Sequence, residues 1–166
     1  WPAEGLTIPL GLAVPVLVLI VVALITHFIA TRTRFGRYIY AIGGNPEAAK
    51  LAGIKTKWIT VKMFMLMGML VAVSAAVSIS RLNAATSGLG TLTELYVIAA
   101  AVIGGTSLLG GIGTIPGAVL GALVMQSLIS GMALMGLEAP YKNIIVGIVL
   151  VGAVALDSFY QRKVTK

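Results

Sequence analysis

The sequence of 166 residues has no cysteine, one histidine and five acidic residues. Without cysteine there is no disulfide framework and no thiolate ligand or nucleophile. His27 has no second imidazole and no acid at ligand spacing, so a metal site has no ligand set. Charged residues are only 10% of the chain, where a soluble domain carries about 25%. So few charges cannot cover the apolar 58% of a water-soluble enzyme of this size. The same hydrophobicity excludes intrinsic disorder. The apolar runs hold no acid at mid-depth, and no local pattern brings a Ser, His and Asp together, so enzyme chemistry has no support and no catalytic residue is assigned. What remains is an integral membrane protein.

The formal charge is +7, but the bases fall into two clusters between apolar runs and no basic patch carries interleaved aromatics. That is the pattern of membrane topology rather than of nucleic-acid binding. The chain starts with Trp1 and lacks a basic n-region followed by a cleavage site, so its first apolar run is not a signal peptide. It reads as a piece of something longer, or as numbering that starts inside a protein.

Five apolar runs are expected in the membrane, at about 10–30, 58–80, 95–109, 115–135 and 141–156. The first has only Thr26 and His27 as polar residues and would span about 31 Å as a helix, with Pro15 tolerated near its start. Lys62, one turn into the second, snorkels back to the headgroups. Between the third and fourth runs, residues 104–117 carry six glycines and Pro116, which no regular helix accommodates throughout. The stretch is a tight loop or a break flanked by half-helices, and Pro116 suits the first turn of the helix that follows. Gly113, Gly117 and Gly121 recur every four residues, a stripe for close helix packing, and Ser74, Ala75 and Ser78 would act likewise on the second run. The fold class is therefore all-α, a polytopic membrane helix bundle forming one membrane domain, 1–166.

Residues 31–57 hold Arg32, Arg34, Arg37, Lys50, Lys55 and Lys57 against Glu47, and a tail at 159–166 adds Arg162, Lys163 and Lys166. The other connections together hold two bases against three acids: Glu4, then Arg81 and Glu94, then Glu138 and Lys142. The positive-inside rule puts the 31–57 loop and the tail in the cytoplasm and residue 1 outside. Four crossings after the loop, or two plus a re-entrant hairpin, both return the tail inside; four are favoured.

Within that loop Asn45 is an N-cap acceptor, Pro46 a preorganised first residue, Glu47 a complement to the positive helix end and Gly53 a left-handed stop. The helix runs from about Pro46 to Ala52, too short to stand alone. Ala48, Leu51 and Ala52 are expected to form its apolar face, beside Glu47 and Lys50. A short capped helix at the cytoplasmic surface is a protein-docking element.

The string Gly44-Asn45-Pro46-Glu47-Ala48-Ala49-Lys50-Leu51-Ala52-Gly53-Ile54 resembles the "EAA" coupling loop of ABC importer permeases, in the form found in ribose, xylose and multiple-sugar permeases. Thr33-Arg34-Phe35-Gly36-Arg37-Tyr38, Glu94 to Ser107, Gly110-Gly111-Ile112-Gly113-Thr114 and a final Leu156-Asp157 match that family too, so the resemblance covers about residues 10–160. It implies the C-terminal half of a xylose-type monosaccharide permease in the bacterial cytoplasmic (inner) membrane, and a homodimer. The coupling helix would dock on a separate ATP-binding cassette subunit through Asn45, Pro46, Glu47, Ala48, Ala49, Lys50 and Gly53. ATP and magnesium belong to that subunit, and no cofactor is expected in this chain. Gly105 to Gly111 has the glycine spacing of a phosphate-binding loop, but Gly111 and Ile112 stand where its Lys and Ser/Thr would be. A neutral sugar would meet uncharged partners, with Thr106, Ser107, Gln126 and Ser130 as candidates. The connection from Asn83 to Glu94 is a candidate contact for a periplasmic sugar-binding protein. The alternatives are an ion-coupled carrier with a broken helix and a membrane scaffold that transports nothing.

Overall fold

In the computed structural model residues 14–82 and 90–164 are described. Leu10 at the start of the first run, Glu4, residues 83–89 of the connection assigned to a binding protein, and Lys166 lie outside them. Among the described residues all regular structure is helical: α1 (Val14–Arg32), α2 (Arg34–Gly44), α3 (Pro46–Leu51), α4 (Thr56–Leu82), α5 (Thr93–Ile103), α6 (Ile115–Leu134) and α7 (Ala139–Val164). Three of them, α1, α4 and α6, are long and apolar enough to cross a membrane. At 1.5 Å per residue they measure about 28, 40 and 30 Å.

The helix ends follow from local chemistry. Thr114 caps α6 by accepting from the Gly117 amide at 3.2 Å, with Pro116 in the first turn where no intrahelical donor is needed. Three helices stop in the same way, with glycine in the left-handed region one residue past the cap: Gly53 after α3, Gly105 after α5 and Gly136 after α6, at φ of +80, +82 and +72°. In each case the glycine amide and the next one turn back on the last carbonyls, as Gly53 does on Lys50 and Ile54 on Ala49 at 3.0 and 3.1 Å.

Two boundaries differ from expectation. The helix of the third run ends at Ile103, not 109, because this stop intervenes, and α5 is about 16 Å long. α7 continues through Val164, so residues expected to form a separate tail prolong the last helix. Gly113 precedes the α6 cap and is not on the helix, so the small-residue stripe there is Gly117 and Gly121 alone.

Packing is concentrated where side chains are smallest. α5 and α6 run antiparallel, with Gly104 against the Gly117 backbone and Gly121 against the Ala100 carbonyl, leaving no room for a Cβ at any of the three glycines. α7 closes on α5, and the buried cluster is Ala99, Ala100, Met125, Met132 and Val146. The Tyr96 hydroxyl donates to Asn143 Oδ1 at 2.6 Å across the α5–α7 contact. Ser74, Ala75 and Ser78 on α4 meet no such neighbour. All three are exposed, and the Ser78 hydroxyl donates to its own helix at Ser74 O.

Candidate functional site

The 31–57 segment is more ordered than a loop with one helix, since α2 precedes α3 within it. Thr33 separates α1 from α2. Its hydroxyl donates to Ile29 O at 2.6 Å and accepts from the Gly36 amide at 3.2 Å, ending one helix and capping the next. Phe35, Gly36, Ile39 and Tyr40 turn inward while Arg34, Arg37 and Tyr38 are exposed. The signal for this helix was present in the N-cap Thr33 followed by apolar residues at 35, 39 and 42.

Asn45 joins α2 to α3. Its amide donates to Ala41 O at 3.1 Å, closing α2, and its side-chain oxygen accepts from the Glu47 and Ala48 amides at 3.1 and 3.0 Å, opening α3. One residue is thus the C-cap of one helix and the N-cap of the next, which sets a stiff corner. Pro46 occupies the first turn, with Glu47 at the positive end and Lys50 at the negative end.

The apolar face expected on α3, Ala48, Leu51 and Ala52, is exposed, but Ala49, expected among the docking residues, is not. Ala49, at 4% exposure, is the residue turned inward, whereas Leu51 is 90% exposed and Ala48 and Ala52 also face out. α3 is only six residues long, and the helices beneath it, α2 and α4, decide which side is covered. Asn45, Pro46, Glu47, Ala48, Lys50 and Gly53 are exposed as well. The outer surface therefore combines a carboxylate, an ammonium and an isolated leucine, suited to an apolar socket with polar partners at its rim.

Behind the corner lies the glycine-rich turn between α5 and α6. A Cβ on Gly43 would lie 2.6 Å from the Gly111 nitrogen, and one on Gly111 would lie 2.9 Å from the Gly44 Cα. Gly110 and Gly111 both have positive φ, 94 and 75°. The Tyr40 hydroxyl donates to Gly113 O at 2.8 Å. On the other side Asp157 of α7 accepts from the Leu108 amide at 3.4 Å and the Ser107 hydroxyl at 3.5 Å, while Ser107 Oγ accepts from the Leu109 amide at 3.1 Å. Sequence reasoning assigned no role to Tyr40 or Asp157. Their partners are 73 and 49–50 residues away, beyond any local pattern.

The four residues proposed for a sugar path fall into two groups. Thr106 and Ser107 line a largely apolar cavity of about 470 Å³ between α1, α2, α4 and the glycine-rich turn, with Thr26, Tyr40 and Thr60 adding hydroxyls. Gln126 and Ser130 are not part of it. They lie on the exposed face of α6, where the Gln126 amide donates to Ser130 Oγ at 3.3 Å. Among the described residues no group of His, Cys, Asp and Glu could hold a metal ion.

Residues 2–154 match the family described as "Branched-chain amino acid transport system / permease component". The chain is 46% identical over 153 residues to the xylose transport system permease protein XylH of Escherichia coli K12, covering 92% of this chain and 39% of that protein. Identity to XylH of Haemophilus influenzae is 42% over 153 residues, 92% of this chain and 41% of the relative. To the ribose import permease protein RbsC of E. coli K12 it is 40% over 154 residues, 93% and 48%. The chain thus spans about two-fifths to one-half of the length of the curated relatives it matches. No solved structure matches it.

Proposed function

Because this chain belongs to the family of branched-chain amino acid transport system permease components, we propose that it forms part of the membrane permease of an ATP-driven importer of a monosaccharide such as xylose. The observation that carries this reading is α3, a helix capped at both ends, exposed on one side and set in a segment that carries six bases. The names of the xylose and ribose permeases among its relatives support the substrate class.

In this reading the 31–57 segment and the C-terminal end of α7 face the cytoplasm of a bacterial cell, because bases are retained on that side. α3 seats on an ATP-binding cassette subunit: Glu47 accepts hydrogen bonds from a basic groove, Leu51 enters an apolar socket, and Ala48 and Gly53 allow close approach. Asn45 and Pro46 hold the helix in shape, Lys50 completes the polar rim, and buried Ala49 anchors it to its own chain. The chain contributes no cofactor and is not an enzyme. ATP and magnesium act in the partner. Importers of this kind need two membrane halves, so a homodimer is expected, with a periplasmic sugar-binding protein delivering substrate outside.

The exposed Gln126–Ser130 pair supports a sugar path along that face of α6. An amide facing hydrocarbon is costly, so this face requires protein or water opposite it. Thr106 and Ser107 would serve at the cytoplasmic end, where they line the cavity together with Ile42 and Gly43 of the corner.

The test is uptake of labelled xylose and ribose by vesicles carrying the permease with its ATPase. Glu47→Arg and Leu51→Asp should abolish retention of the ATPase and uptake together while the helical circular dichroism signal stays unchanged. Retained coupling in both variants, or uptake that needs an ion gradient and not ATP, overturns the reading.

A further inference from the structure

We infer that the backbone contact of Gly43 with Gly110 and Gly111, braced by the Tyr40 hydroxyl on Gly113 O, is the joint through which a displacement of α3 reaches the α5–α6 hairpin. The inference rests on α3 as the ATPase-facing helix and adds the route by which its motion travels.

Three observations carry it. Asn45 is shared between the ends of α2 and α3 and bonds to both, so the two helices move as one corner. That corner meets the turn main chain to main chain: a Cβ on Gly110 would lie 2.5 Å from Gly43 O and one on Gly43 2.6 Å from Gly111 N, where ordinary contact begins at 3.4 Å. With no side chain between them, neither rotamer change nor compression can absorb a push. The turn is in turn bound to the buried part of the molecule. It links α5 to α6, whose glycines interlock, and Asp157 of α7 holds its far side at Leu108 and Ser107. α3 also touches α4, but α4 buries no residue and so has no comparable grip on the core. Tyr40 is a positioning residue here. Its ring spans from α2 to the carbonyl that precedes the α6 cap and fixes the angle of the joint.

Gly44 provides an internal control. It neighbours the joint, yet a Cβ added there meets nothing within 4 Å. The experiment uses the complete permease with its ATPase in proteoliposomes and reads two quantities, ATPase retained on the purified permease and sugar moved per ATP hydrolysed. Gly43→Ala and Tyr40→Phe should both retain the ATPase yet lower sugar moved per ATP, by about two- to thirty-fold, with the larger loss in Gly43→Ala. Gly44→Ala should match the wild type in both readouts. Tyr40→Phe removes only a hydroxyl, so it keeps the test decisive should Gly43→Ala fail to assemble. The joint is overturned if both variants transport at the wild-type ratio, if Gly44→Ala loses as much, or if the variants lose the ATPase itself. A wild-type permease that retains no ATPase overturns the parent reading, and this one with it.

Discussion

α4 and α5 are both apolar helices, and they behave in opposite ways. α4 is 27 residues long and buries none of them, while α5 has eleven and buries Ala99, Ala100 and Val102. Hydrophobicity does not separate them, since lipid solvates either helix as well as protein does. Side-chain size does. α4 presents Trp58, Phe64 and four methionines, whereas α5 presents Ala99, Ala100 and Ala101, with Gly104 at its end, to a partner that carries Gly117 and Gly121. In a membrane, helices associate where backbones can approach, so small residues mark the interior and bulky ones the lipid or partner face.

The strongest way to break this comparison is to put the same large residue in both places. Gly121→Leu drives a side chain into the Ala100 carbonyl and should cost about 3 kcal/mol or more. Gly68→Leu on α4, where a Cβ meets nothing within 4 Å, should stay within about 0.5 kcal/mol of the parent. Thermal unfolding in detergent measures both, and equal losses would mean that α4 is packed as tightly as α5.

A smaller effect is expected at the corner, whose order depends on one side chain rather than on burial. Asn45→Ala removes the acceptor for two amides and should destabilise α3 by about 1–2 kcal/mol. Amide exchange at Glu47 and Ala48 should speed up about tenfold, with exchange in α5 unchanged. Smaller again, Asp157→Ala removes two long hydrogen bonds and should cost about 1 kcal/mol, read as about fivefold faster exchange at Leu108. Equal acceleration through α5 and α6 would show that the turn and the hairpin open as one unit.

The legible features were local ones. Asn45, Pro46 and Gly53 bound α3 to within a residue, and Pro116 marked the first turn of α6, because caps and left-handed stops act within one helical turn. The face of α3 was legible only in part. Ala48, Leu51 and Ala52 are exposed, but Ala49, expected in the same contact, is turned inward by α2 and α4, because six residues cannot choose their own burial. The stripe through Gly113 failed for a related reason, since periodicity assumes a continuous helix and the Thr114 cap begins it one residue later. α2 is local in the same way: the Thr33 cap and apolar Phe35, Ile39 and Ile42 mark it, while its exposed Arg34 and Arg37 also serve as topology signals.

Composition and charge distribution alone determined that this chain lives in lipid and which loop carries the bases, because solvation of a segment depends on its own side chains. Single residues such as Asn45, Gly53 and Pro116 settled where several helices start and stop, because a cap acts within its own turn. Only the tertiary structure decided that Gly43 meets Gly110 and Gly111, that Tyr40 reaches Gly113 and that Asp157 holds Ser107 and Leu108. Such contacts join residues 49 to 73 positions apart. Glycine next to glycine carries no side-chain signature, so the approach of Gly43 to Gly110 and Gly111 is invisible until the backbones are in place.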